Sequence, residues 1–71
     1  QFRSGMQVKI NGKMENIQGG TILDLLKAKN IEPQMVAIEV NDAMLERNHL
    51  ATTTLKEGDQ IEFLFYMGGG R

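Results

Sequence analysis

The sequence contains no cysteine and a single histidine, His49. The lack of cysteine excludes a disulfide framework, thiolate metal ligands and a cysteine nucleophile. One histidine cannot build a metal cage of imidazoles, so we expect no metal site. Aromatic residues make up 6% of the chain and tryptophan is absent, so a base-stacking platform for nucleic acid is poorly supplied. The sequence therefore lacks the side chains of an ordinary active site.

An excess of positive charge and a long apolar run are also missing. The chain has eight basic and nine acidic side chains. Two of the basic residues, Arg3 and Arg71, lie at the extreme ends of the chain. Without these two, the body of the chain carries six basic and nine acidic side chains, a net charge of −3. This balance argues against binding to a phosphate backbone, and no apolar run approaches the ~20 residues that span a membrane. We expect a cytoplasmic domain that binds neither nucleic acid nor membrane.

The length of 71 residues allows one hydrophobic core. Residues 1–5 show no periodicity and precede Met6, so we interpret them as a leader or a cloning remnant. The predicted domain is 6–67, and residues 68–71 are a flexible glycine tail.

The first half of the domain has the pattern of a hairpin followed by a helix. Apolar residues alternate from Met6 to Ile10, and Asn11-Gly12 is the strongest short-range hairpin signal. The return strand is Lys13 to Ile17, with Met14 and Ile17 available for the core. Thr21 and Asp24 then form a capping box for a helix of eight or nine residues, with an apolar face made of Ile22, Leu25 and Leu26.

The second half predicts three strands: Met35 to Val40, the short Ala43 to Glu46, and Ile61 to Tyr66. Arg47 to Thr54 is an irregular crossing segment, and Leu50 and Leu55 can close the bottom of the core. Five methionines indicate adaptable core filling. One helix must cover one face of a mixed sheet of four to five strands, with the first and last strands parallel in the centre. The predicted fold class is α+β, a ubiquitin-like β-grasp.

The feature that propensity does not explain is the end of the chain. An apolar strand runs through Met67 directly into Gly68, Gly69 and Gly70. Glycine lacks a Cβ, so its backbone passes through a slot too narrow for other residues. Three extended glycines project the chain by about 10 Å. The alternative is a frayed tail or a linker.

The body and tail together resemble the ubiquitin-like sulfur carriers of the ThiS/MoaD family, most closely the thiamine type. The resemblance covers Met6 to Gly70 and is carried by the segments MQVKINGK, TILDLLK, VAIEVNDAMLER and LKEGDQIEFLFYMGGG. It implies that the chain is a carrier and not an enzyme. The MoaD type, the small subunit of molybdopterin synthase, remains an alternative, as does a ubiquitin-like modifier or binding module whose tail forms an isopeptide bond.

The resemblance also implies the chemistry and the partners. An E1-like adenylating enzyme of the ThiF type would use ATP to adenylate the carboxylate of Gly70, while the carrier itself binds no cofactor. A sulfur donor such as a cysteine desulfurase system would convert the adenylate to a thiocarboxylate. A thiazole synthase of the ThiG type would take that sulfur for thiazole formation. Gly68 and Gly69 would be the segment that threads into the partner.

Arg71 departs from the family pattern, because an arginine linked to Gly70 blocks the carboxylate. Either Arg71 comes from cloning or a peptidase removes it before loading, and the sequence leaves both open.

Alternation along the last strand predicts the surface that a partner contacts. If Ile61, Phe63 and Phe65 face the helix, Leu64 and Tyr66 face outward beside the tail and are candidates for docking.

Two more residues near the tail are candidates for partner contact. Met67 would anchor the tail at the mouth of the partner's channel or pack on its own domain. Arg47 would contact the partner or form a surface ion pair of little value.

Overall fold

The computed structural model describes residues 5–66. Its elements in chain order are β1 (Met6–Ile10), β2 (Lys13–Ile17), α1 (Ile22–Ala28), a 3-10 helix (Pro33–Met35), β3 (Val36–Val40), β4 (Ala43–Leu45), a second 3-10 helix (Arg47–His49) and β5 (Gln60–Phe65).

The strands form one mixed sheet in the order β2-β1-β5-β3-β4. The two strands from opposite ends of the domain, β1 and β5, are parallel neighbours in the centre, and the other neighbours are antiparallel. The predicted mixed sheet with a parallel central pair is therefore confirmed.

A single core fills the space between α1 and one face of the sheet. The irregular segment contributes Leu50 and Leu55, which are buried as expected. Each large aliphatic side chain buried in this way contributes about 1.5–3 kcal/mol of transfer free energy. The other core residues are Val8, Ile10, Ile22, Leu25, Leu26, Val36, Ile38, Ile61 and Phe63. No helix within residues 5–66 is long and apolar enough to cross a membrane.

The methionines do not fill the core as their number suggested. Met14, Met35 and Met44 are between 49% and 61% exposed, and of the methionines in residues 5–66 only Met6 packs against the core. Met14 pairs opposite Lys9, so it lies on the sheet face away from α1. The prediction of Met14 in the core was therefore wrong, because composition does not reveal which face a residue takes.

Several element bounds also differ from the predicted ones. The helix has seven residues instead of eight or nine, because Lys29 already leaves helical geometry with φ −98° and ψ 4°. Met35 belongs to the 3-10 helix that Pro33 begins and not to β3. The last strand begins at Gln60 and ends at Phe65, one residue earlier at each end than predicted.

Two asparagines hold β5 in the centre of the sheet. Asn11 and Asn41 each take a positive φ, 49° and 52°, at the start of a hairpin turn. The Asn11 Oδ1 accepts a hydrogen bond from the Phe63 N–H at 2.8 Å, and the Asn41 Oδ1 accepts one from the Gln60 N–H at 2.9 Å. The turn residues that the sequence identified thus also fix the register of β5.

The helix begins with the predicted capping box. The Thr21 hydroxyl accepts a hydrogen bond from the Asp24 N–H at 3.1 Å, and the Asp24 carboxylate accepts one from the Thr21 N–H at 3.0 Å. These two bonds satisfy backbone donors that a helix start leaves free.

The capping box predicts a pH dependence of stability. The hydrogen bond from the Thr21 backbone, with the Thr21 hydroxyl contact, lowers the pKa of Asp24 below its ordinary value of 3.8. A carboxyl whose pKa is lower in the folded state stabilises fully above its ordinary pKa, and this stabilisation is lost as the pH falls through the lowered pKa. In denaturant unfolding at several pH values below about 4, the wild type should lose more stability than Asp24→Asn. Parallel pH curves for the two proteins would contradict this role.

Candidate functional site

The candidate functional site is the end of β5, the strand that precedes the glycine tail in the sequence. The Tyr66 N–H donates to the Met35 carbonyl at 3.1 Å, so the sheet positions the chain up to this residue. Met67, Gly68, Gly69 and Gly70 lie outside the described residues, and so does Arg71. The tail therefore begins from a fixed point on the rim of the sheet.

The face of the sheet away from α1 carries exposed apolar side chains beside this point. Leu64 pairs opposite Ala37, and the residues on either side of Ala37 are buried against the helix. The side chains of Leu64 and Tyr66 are 45% and 54% exposed, as alternation predicted. Exposed apolar groups in line with a tail suit contact with another protein. The exposure agrees with the prediction, while the docking role stays a prediction.

Phe65 corrects the expected pattern. Ile61 and Phe63 face the core, but Phe65 is 53% exposed. Its ring packs edge-on against that of Phe63, with 6.3 Å between centroids and an angle of 75°. Phe65 is the last residue of β5 and pairs opposite the buried Val36, so it lies on the expected face, but alternation alone was not enough to bury it.

Arg47 and Tyr66 line the same shallow hollow of about 130 Å³. The hollow lies beside β3, because β4 ends at Leu45, opposite Ile38, and does not pair with the start of β3. Met44 also lines it. Within residues 5–66 no carboxylate lies within ion-pair distance of Arg47, so the expected surface ion pair is not seen there. The structure thus brings Arg47 close to the strand end from which the tail leaves.

The described residues form no metal-binding group at this end of the sheet. No group of three metal-ligating side chains occurs between residues 5 and 66, and His49 is exposed in a 3-10 helix. A cleft of about 480 Å³ lies between β2 and α1, where Lys29 and Glu15 form an ion pair at 2.8 Å. It does not include the end of β5. The end of β5 therefore presents exposed apolar side chains, with Arg47 nearby, at one edge of the described domain.

One feature of the surface was missed from the sequence. Glu39 and Glu62 lie directly opposite each other on β3 and β5. Alternation placed Glu62 outward, but the pairing depends on the register of two strands that are distant in sequence. Only the structure supplies that register.

Comparison with known proteins decides the family. The model of the ThiS family matches residues 7–70. The chain belongs to the ThiS family. It is therefore placed among the small carrier proteins of thiamine biosynthesis.

Solved structures similar to this chain agree with the ThiS family and its β-grasp fold. The crystal structure of a thiamine biosynthesis protein (ThiS) from Geobacter metallireducens has 36% identity and a TM-score of 0.79, covering 92% of this chain and 100% of that one. A solution structure of a thiamine biosynthesis protein from the same organism has 36% identity and a TM-score of 0.75, covering 93% of this chain and 90% of that one.

Two curated proteins are also similar to this ThiS-family chain. A thiazole synthase from Magnetococcus marinus is 37% identical over 67 residues, which is 93% of this chain and 21% of that protein. The chain thus spans about a fifth of the length of that relative. The uncharacterized protein ycf40 from Pyropia yezoensis is 30% identical over 70 residues, covering 97% of this chain and 99% of that one.

Proposed function

We propose that this chain carries sulfur as a thiocarboxylate on the main-chain carboxyl of Gly70, for thiazole formation in thiamine biosynthesis. The observation that carries this proposal is the extent of the family match. It reaches residue 70 and therefore includes the three glycines as well as the folded body. The chain has no cysteine, so no thiol side chain is available to carry the sulfur.

The chemistry needs a partner because a carboxylate oxygen is a poor leaving group. In the active site of an E1-like adenylating enzyme of the ThiF type, the Gly70 carboxylate attacks the α-phosphate of ATP and pyrophosphate leaves. The resulting acyl-adenylate has AMP as a good leaving group. The terminal sulfur of a persulfide, formed on a donor such as a cysteine desulfurase system, then displaces AMP and forms an acyl disulfide with the donor. Two equivalents of a thiol reductant cleave that disulfide, which leaves the thiocarboxylate on Gly70, the donor's free thiol and the oxidised reductant. ATP belongs to the enzyme in this scheme, and the carrier contributes a reachable carboxyl group in the cytoplasm.

Arg71 must be absent from the working form. A peptide bond between Gly70 and Arg71 leaves no free carboxylate at Gly70 to attack ATP. In the proposed loaded species the chain therefore ends at Gly70. Gly68 and Gly69 provide the narrow backbone that reaches the reacting centre.

The proposed acceptor of the sulfur is a thiazole synthase of the ThiG type. In support, a protein named thiazole synthase in Magnetococcus marinus contains within one polypeptide a segment 37% identical to this chain. Joining two activities in one chain raises their effective concentration toward each other, which favours partners that work together.

The acceptor is tested by offering the thiocarboxylate form to two proteins in parallel. With a thiazole synthase and its substrates, the chain should lose its sulfur and thiazole product should form. With the large subunit of molybdopterin synthase, the sulfur should stay on the chain. The reverse result would assign the chain to the molybdopterin pathway and overturn the thiamine proposal.

We assign Leu64, Tyr66, Met67 and Arg47 to contact with the adenylating enzyme. Leu64→Asp places a charge in the centre of this surface, so its dissociation constant for the enzyme should rise by about tenfold or more. The free domain should keep its stability, because Leu64 is exposed on the open face.

The matched control is Met14→Asp, measured by the same titration. Met14 is exposed on the same face but lies on the edge strand β2, two strands away from β5. Its substitution should leave the dissociation constant unchanged. Equal affinities for Leu64→Asp and the wild type would remove Leu64 from the interface.

A further inference from the structure

Two glutamates face each other in the middle of the uncovered side of the sheet. Glu39 on β3 is the direct antiparallel partner of Glu62 on β5. The next residues along the strands, Ile38 and Phe63, are buried on the helix side, so both glutamates project from the opposite face. Side chains in such directly opposed positions have Cβ atoms about 4.5–5.5 Å apart. The carboxylates therefore share one small area of surface.

Nothing in the described part of the chain neutralises this pair. The only ion pair within residues 5–66 joins Lys29 and Glu15, and Glu15 lies on the helix side of the sheet. Lys9 on neighbouring β1 pairs with Gln60 and does not come within 4.0 Å of either carboxylate. Like charges directly opposite each other destabilise a sheet. A neutral or basic residue at position 62 would serve the free domain better.

Two like charges that lie opposite each other, with no interaction in the free protein that offsets their repulsion, are typical of a functional position. The surroundings indicate the kind of partner. Met44 pairs opposite Glu39 on the same face, and Leu64 follows Glu62 along β5, so exposed apolar side chains flank the two carboxylates. A metal ion does not fit, because no third metal-ligating side chain joins the two glutamates among residues 5–66.

An arginine fits both parts of this surface. Its planar guanidinium offers five N–H donors in a fork that matches carboxylate oxygens, and its aliphatic stem packs on apolar neighbours. We propose that Glu39 and Glu62 together bind an arginine of the adenylating enzyme, with Leu64 and Met44 packing beside it. This inference rests on the proposed function, since it takes that enzyme as the partner. Without Arg3 and Arg71 at its ends, the chain has a net charge of −3. This negative charge would steer the chain toward a positively charged surface around that arginine.

The test uses changes that should move stability and binding in opposite directions. Glu39→Gln, Glu62→Gln and Glu62→Lys each relieve the like-charge contact, so their melting temperatures should equal or exceed that of the wild type. Their dissociation constants for the adenylating enzyme, titrated with the full chain, should rise by about tenfold, and most for Glu62→Lys. Affinity of the wild type should fall as salt is added, and this dependence should weaken in the variants.

The control for the loss of one negative charge is Glu57→Gln. Glu57 lies before the start of β5, at the end away from the tail, and its Oε1 accepts the Gln7 N–H at 3.0 Å. Glutamine retains an oxygen acceptor there, so affinity should stay at the wild-type value.

The outcomes separate this inference from the proposed function. If the enzyme adenylates the wild type and all three variants with equal affinity, the arginine site is wrong while the carrier function stands. If the enzyme does not adenylate the wild type ending at Gly70, the proposed function itself fails. If Glu57→Gln loses as much affinity as Glu62→Gln, the effect depends on net charge alone. That result would show that the proposed arginine site is wrong.

Discussion

Replacing Gly69 by valine should reduce sulfur loading by about 100-fold or more, because a branched side chain cannot follow the path that a glycine backbone takes. Valine carries two heavy atoms on Cβ, which widen the chain and stiffen it next to the reacting carboxyl. The carboxyl group itself is unchanged, so any loss reflects the fit of the tail in the partner. The measurement is kcat/KM for adenylation by the partner enzyme, with the chain ending at Gly70.

A graded series controls for this effect. Gly69→Ala adds one methyl group, so its kcat/KM for adenylation should lie between the values for the wild type and Gly69→Val. The melting temperature should stay the same in all three proteins, because β5 ends at Phe65 and the core residues described between 5 and 66 extend no further than Phe63. Wild-type kcat/KM in Gly69→Val would show that the tail does not thread through a narrow slot.

The second large effect is expected at Asp59, a carboxylate that is only 7% exposed. Its Oδ2 accepts the Lys56 N–H at 2.8 Å, and its Oδ1 accepts the Asn41 Nδ2–H at 2.9 Å. Asp59→Ala removes both acceptors, so the Lys56 N–H and the Asn41 Nδ2–H lose these partners. We expect the free energy of unfolding to fall by about 1.5–3 kcal/mol, the range for hydrogen bonds that involve a charged group. For a small domain this is a large share of the total stability.

A double-mutant cycle with Asn41→Ala isolates the shared bond, and urea unfolding measures each variant. The two single losses should sum to more than the loss in the double variant, because both remove the same Asn41–Asp59 contact. Asp59→Asn keeps one acceptor oxygen, so its free energy of unfolding should lie between the values for the wild type and Asp59→Ala. Strictly additive losses would show that Asp59 and Asn41 act independently.

Much of the fold could be predicted because local signals and the overall arrangement agree. Asn11-Gly12 predicts a tight hairpin from its two positive φ values, and the structure has 49° and 85° there. The pair Thr21 and Asp24 predicts a helix start from the donors that must be satisfied. These signals depend on neighbours in sequence, which the chain itself displays.

Side-chain contacts that depend on the exact register between distant strands were not predicted. The side chains of Asn11 and Asn41 bond to β5, which is far away in sequence, so their part in holding that strand could not be inferred from the turns alone. Met14 could be assigned to a strand but not to a face, since its partner Lys9 sets that face. The opposition of Glu39 and Glu62 likewise depends on the β3–β5 register.

The candidate site divides in the same way. Exposure of Leu64 and Tyr66 follows from alternation in a strand that the sequence displays. Exposure of Phe65 does not follow from alternation, because its strand partner Val36 is buried on the same face. The shared hollow of Arg47 and Tyr66 depends on the short length of β4, which leaves the start of β3 unpaired on that side. The role of Gly70 came from the family resemblance and not from geometry.

The most direct test of the central claim is the intact mass of the chain after incubation with the adenylating enzyme, ATP and a sulfur donor. Fragmentation of the product should locate a single exchange of oxygen for sulfur at the carboxyl group of Gly70, in a species without Arg71. Sulfur on a chain that retains Arg71 would contradict the assignment of Gly70. Attachment of Gly70 to a lysine of another protein would contradict the carrier function and identify the chain as a modifier.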